Sequence, residues 1–138
     1  GETLSPGPGI TVRTAPLNHP NGATAYRVEY AGRSACYVTD HEHTGSVHQD
    51  ALLALLDRAD IVIYDATYTD AEYPGHKGWG HSTWQEGVRL AEQAKVKQFV
   101  IFHHDPGHDD ATMDEIAAAA ARARPNTIVA AEGMTLWP

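Results

Sequence analysis

The sequence predicts an α/β domain built on one mixed sheet with helices on one face, and three observations carry that reading. Three strand-like segments follow one another near the N-terminus with no helix between them. From residue 48 onward the order runs helix, strand, helix, strand, helix, strand. Two short apolar runs, Ile61 to Tyr64 and Phe99 to Phe102, have the pattern of strands covered on both faces, and the three helices can cover only one of them. At 138 residues the chain is one domain at most, with apolar content for a single core and none to spare.

Taken in order, residues 1–9, GETLSPGPG, read as an irregular lead-in because prolines and glycines interrupt them. ITVRTAPL and TAYRVEY alternate as strands, and AGR joins the second to SACYVTD as an antiparallel hairpin. HQDALLALLDRAD sets Leu52, Leu53, Leu55 and Leu56 in an amphipathic helix. IVIYDAT is then a strand, and STWQEGVRLAEQAK a helix opened by Ser82-x-x-Gln85 as a capping box. FVIFHH is the next strand. ATMDEIAAAAARAR forms a third helix with Thr112-x-x-Glu115 as its box and Pro125 beyond its end, and TIVAAE closes as the last strand. Such alternation implies parallel strands with right-handed crossovers, whose carboxyl ends form the crevice for ligands.

The composition argues against several partners. A formal net charge of -8 opposes a broad nucleic-acid surface or an anionic membrane surface. No apolar run approaches the roughly 20 residues of a membrane span, and no charged-then-apolar leader opens the chain, so the expectation is a soluble, cytoplasmic protein. The single cysteine, Cys36, can form no internal disulfide and reads as a buried structural thiol.

The residues with chemistry collect at strand ends. Asp40 ends SACYVTD, Asp65 ends IVIYD, His81 lies in the following loop just before a helix, and His103 ends FVIFH, so separated segments deliver ionisable groups to one rim. His19, in the turn LNHPNG, is a further candidate whose local sequence does not fix the rim it faces. Two aspartates with several imidazoles suit a borderline divalent cation such as zinc. His41, His43 and His48 in DHEHTGSVH read as a polar loop and helix start, and His108, Asp109 and Asp110 in DPGHDD as a loop and helix N-terminus. His104 points away from His103 by strand alternation, unless the strand has already ended. Trp79 and Lys77 in GHKGWGHST form either a substrate wall with an anion contact or an ordinary glycine-rich loop with an aromatic anchor.

The series LNHP, YVTD, ADIVIYDAT, GHST and VIFHH, in this order and spacing, resembles the C-terminal half of metallo-β-lactamase-fold hydrolases, especially the ribonuclease Z and phosphodiesterase-like branch. The match runs through nearly all of residues 10–138, and GHST after an Asp-Ala-Thr strand is its most specific part. The resemblance implies that residues 10–138 are half of a four-layered αββα sandwich. It implies metal ligation by His19, by Asp40 as a bridge between two ions, and by His103, with His81 as proton donor and Asp65 orienting it. The implied cofactors are two divalent ions, zinc first, with manganese or iron as alternatives; roughly 3.5–4 Å apart, such ions hold a hydroxide and polarise a phosphoryl or carbonyl oxygen.

The family's principal metal string, H-x-H-x-D-H, belongs to the N-terminal half and does not occur in these residues. The second apolar face of the sheet therefore needs a cover, either that N-terminal half as a separate chain or a second copy of this one, and the particle is not a stable catalytic monomer. The expected function is hydrolysis of a phosphodiester or related ester by a metal-activated hydroxide, on a small-molecule or phosphodiester substrate, complete only with the other half. The alternative is a non-catalytic half-domain that serves as an assembly or weak metal-binding module.

Overall fold

The computed structural model describes residues 1–45 and 47–138. Its strands are β1 Thr3–Gly7, β2 Ile10–Leu17, β3 Ala23–Tyr30, β4 Arg33–Val38, β5 Ile61–Asp65, β6 Gln98–Phe102 and β7 Thr127–Val129. Its helices are α1 Gln49–Leu56, α2 Trp84–Gln93 and α3 Asp110–Ala123, with a short 3-10 turn at Tyr73–Gly75. Among the described residues the seven strands form one sheet in sequence order. Strands β1 to β4 pair antiparallel and β4 to β7 parallel, which is the mixed sheet the helix–strand alternation predicts.

Residues 1–9 depart from the expected irregular lead-in. They add an edge strand, with Thr3 opposite Arg13 and Leu4 opposite Val12 and an irregular step before Gly7. The proline that argued against a strand is tolerated at an edge, where one side of the backbone needs no ladder partner. The helix starts also differ from the expected boxes. Thr83 caps α2 by accepting from the Glu86 N–H at 3.1 Å, and Asp109 caps α3 by accepting from the Thr112 N–H at 2.9 Å. Ser82 is drawn into the loop instead, its hydroxyl 3.0 Å from that of Tyr64.

One face of the sheet is sealed. Cys36, Val38, Val62, Tyr64, Phe99 and Ile101 pack under Leu52, Leu55 and Leu56 of α1, Trp84, Val88 and Ala91 of α2, and Ile116 and Ala120 of α3. Helix α2 lies so close that a Cβ at Gly87 would collide with Phe99 and Tyr64. The opposite face is open on β3 and β4, where Tyr26, Val28, Tyr30 and Tyr37 are 45%, 43%, 61% and 43% exposed. Tyr37 and Phe102 meet there with ring centroids 6.1 Å apart. Among the described residues no helix is long and apolar enough to cross a membrane.

The parallel register aligns the carboxyl ends of the central strands. Val38 pairs with Tyr64 and Asp65 with Phe102, so the segments leaving β4, β5 and β6 emerge side by side.

Candidate active site

Asp65, the last residue of β5, is fully buried. An unpaired carboxylate there would be costly, and donors from neighbouring segments surround it. Asp65 Oδ2 accepts from the backbone N–H groups of Asp40 at 2.9 Å and His41 at 3.2 Å, and from His81 Nδ1 at 2.9 Å. Its Oδ1 lies 2.8 Å from the Thr67 hydroxyl and 3.4 Å from the Ser82 N–H. Burial pushes the carboxyl upward, but the hydrogen bonds from His81 and Thr67 outweigh it and hold the group below the ordinary carboxylate range. The same contact raises His81 above the usual imidazole value, against the effect of its own partial burial. With Nδ1 committed to Asp65, Nε2 is the atom His81 offers to the cleft.

Asp40 and His103 both adopt left-handed backbone conformations, with φ of +61° and +60°. Strain of this kind in non-glycine residues clusters at functional sites, and aspartate and histidine tolerate it better than most. At His103 it ends the period-two alternation of β6 and turns the ring toward the β5 end. His103 Nε2 lies 3.7 Å from Asp40 Oδ1, and Nδ1 lies 3.9 Å from Asp65 Oδ2. His104 leaves the site, its Nε2 3.2 Å from the Ala130 carbonyl.

His19 reaches the site from the β2–β3 turn, its ring 5.9 Å from that of His81. Gly80 permits this approach: at φ +92° it sits where a Cβ would collide with the His19 ring. His19, Asp40 and His81 each offer a ligand atom, all within 4.8 Å of one another, and Asp65, His81 and His103 form a second such group. Imidazole and carboxylate donors converging from separate segments fit a zinc-type cation. All five candidate residues thus meet at one edge, and His81 belongs to both groups, so geometry alone leaves its Nε2 open to a metal or a proton.

His41, His43 and His108 stay outside both groups. His41 is fully buried with its ring against Tyr64, 6.0 Å between centroids, and burial pushes it down to about 4, so it is neutral. His43 Nδ1 lies 2.9 Å from the Ser82 hydroxyl, and His108 Nε2 2.9 Å from Glu72. Asp109 caps α3 and Asp110 opens it, as the loop reading expects. The buried Glu42 is a site-adjacent residue that sequence reasoning missed. It accepts from the Gly78 N–H at 2.7 Å, the Gly80 N–H at 3.1 Å and the Tyr73 hydroxyl at 2.6 Å. Burial raises it, but these donors prevail and keep it below the ordinary range. Its only signal was an acid in a polar loop, beside a Gly-Trp-Gly string 36 residues away whose folding against it no local pattern encodes.

A family model described as a beta-lactamase superfamily domain matches residues 1–104. The ribonuclease Z of Synechococcus sp. (strain CC9311) is 32% identical over 113 residues, covering 80% of this chain and 34% of that protein. The ribonuclease Z of Haloferax volcanii is 35% identical over 72 residues, covering 52% and 21%. Among solved structures, the short form of human tRNase Z matches with a TM-score of 0.72 at 22% identity, over 96% of this chain and 44% of that one. Zn(2+)-bound PqqB from Methylobacterium extorquens matches with a TM-score of 0.68 at 18% identity, over 99% and 53%. At these identities the structural likeness shows the fold. The chain spans about a third or less of the curated relatives it matches.

Proposed function

The chain belongs to the beta-lactamase superfamily, and on that premise we propose that it supplies the C-terminal half of a divalent-metal-dependent phosphodiesterase acting on an RNA phosphodiester. The observation that carries the proposal is the buried Asp65–His81 pair, 2.9 Å apart, beside the donor atoms of His19, Asp40 and His103. His19, Asp40 and His103 would hold two divalent ions, with zinc the first choice and manganese or iron the alternatives. When bound, the ions supply a hydroxide at neutral pH and polarise the phosphoryl oxygen.

The residues of the chain do the rest. His81 presents its Nε2 proton to the leaving oxygen, and Asp65 fixes Nδ1 as the donor and stabilises the imidazolium before transfer. Asp65 stays ionised throughout because its donors favour the charged form.

The net charge of -8 argues against a broad basic surface on these residues. It does not exclude RNA as a substrate, and relatives named ribonuclease Z support one. A second sheet, contributed by a polypeptide bearing H-x-H-x-D-H, covers the open face. Coverage of only 44% of the short human tRNase Z supports that partner over a second copy of this chain. The proposed compartment is the cytoplasm, with which a free, buried Cys36 is compatible.

The test is metal content and hydrolysis of bis(p-nitrophenyl) phosphate, by the chain alone and combined with a polypeptide carrying H-x-H-x-D-H. About two divalent ions per complex, with turnover that a chelator abolishes, is the expected result. A metal-free, inactive complex overturns the proposal.

A further inference from the structure

Trp79 stands at the tip of the loop between β5 and α2, and the indole is 60% exposed. A single exposed aromatic is ordinary in itself. What distinguishes this one is how firmly its backbone is held. The residues on either side of it, Gly78 and Gly80, have φ of +86° and +92° and donate their N–H groups to the two oxygens of buried Glu42, at 2.7 and 3.1 Å. A second tie holds the start of the loop. Glu72 accepts from the Thr69 N–H at 2.7 Å and pairs with His108 at 2.9 Å, joining this loop to the segment that precedes α3.

A row of rings leads from the candidate active site to the indole. His103 and His81 stack at 5.0 Å, and His81 meets Tyr68 edge to face at 6.3 Å. Tyr68 and His76 stack at 4.2 Å with planes 15° apart, and His76 meets Trp79 edge to face at 4.9 Å. The outcome is a continuous row of rings, buried at Tyr68 and exposed at the indole. A packing role would bury the indole, whereas here the clamp presents it.

We propose that Trp79 is a stacking platform for a nucleobase of the bound substrate, so that the site selects nucleotide phosphodiesters over those with alkyl substituents. This rests on the phosphodiesterase reading and narrows its substrate class. Every nucleobase has a π-face, so the platform favours bases as a class and discriminates little among them. Lys77, exposed two residues earlier, adds a cation on the same loop.

The experiment is calorimetric binding of adenylyl-adenosine and of its abasic counterpart, in which hydrogen replaces each base, to the full chain. The variants are Trp79→Ala, Trp79→Phe and, as a remote exposed tryptophan, Trp137→Ala. The wild type should bind adenylyl-adenosine on the order of 10-fold more tightly than the abasic compound. Trp79→Ala should abolish that difference, Trp79→Phe should retain most of it, and Trp137→Ala should leave it intact. Equal affinity of the wild type for the two compounds, or a preference that survives Trp79→Ala, overturns the platform. Binding needs no turnover, so the two proposals fail separately: base-dependent binding through Trp79, beside a metal-free and inactive complex with the H-x-H-x-D-H polypeptide, refutes the phosphodiesterase and keeps the platform.

Discussion

Asp65 and His81 each supply what the other needs: the carboxylate gains a donor that stabilises it in the interior, and the imidazole gains a fixed tautomer. His81→Ala should therefore lower turnover of the assembled enzyme by about 100-fold or more while leaving most metal bound, whereas His103→Ala should lose metal and activity together. Metal analysis beside kinetics separates the two, and equal metal loss would make His81 a ligand, a role that its place in both donor groups also allows. Asp60, at the opposite edge of the sheet, offers a test independent of catalysis. The Lys97 ammonium at 2.6 Å, aided by the Ser34 N–H at 2.7 Å and opposed by burial, depresses its carboxyl to about 2. A depressed folded-state value stabilises the fold above about pH 4, and that contribution fades as pH falls toward 2. Asp60→Asn should cost about 1–3 kcal/mol at neutral pH and flatten the acid limb of the melting curve between pH 4 and 2. Thermal denaturation at a series of pH values checks both.

At the scale of elements, helix α2 carries two dissimilar constraints. Its cap is Thr83, so Thr83→Ala should lower stability by about 1 kcal/mol. Its packing depends on Gly87, where a methyl group would collide with Phe99 and Tyr64, so Gly87→Ala should cost about 1–3 kcal/mol despite the better helix propensity of alanine. Chemical denaturation of both variants ranks the terms, and a stabilised Gly87→Ala would contradict the close approach of helix to sheet. The loop ahead of α2 obeys a third constraint. Gly80 is held at positive φ by its bond to Glu42 and lies against His19, which couples the wall of the cleft to one of its candidate ligands.

The whole molecule has one sealed sheet face and, on β3 and β4, one open face. Tyr26, Val28, Tyr30 and Tyr37 leave an apolar surface that, among the described residues, no helix covers. Such a surface favours association. The isolated chain should sediment as a dimer or larger species, and replacing Tyr26 and Tyr37 together by glutamate should shift it toward monomer without loss of the core, because both side chains already lie about half exposed. A monomeric wild type with a cooperative melt and no companion would contradict the half-sandwich architecture. Mixed with a polypeptide carrying H-x-H-x-D-H, the chain should instead form a 1:1 complex, detectable by native mass spectrometry.

By itself the sequence determined the order of strands and helices, the strand-end positions of Asp40, Asp65 and His103, and the place of His81 in the loop before α2. Apolar periodicity and the parallel crossover rule act over a few residues to a few tens of them, and both are written locally. The tertiary structure alone decided the rest. Residues 1–9 became a strand because β2 offered an unpaired edge, a fact about the neighbour and not about the proline-rich string. The cap of α2 moved to Thr83 because Ser82 found partners in Tyr64 and His43. His19 was assigned to its rim by Gly80, 61 positions away in a loop whose course Glu42 sets. In each case a hydrogen bond or a steric contact joins residues far apart along the chain, and such pairings exist only once the sheet has brought them together.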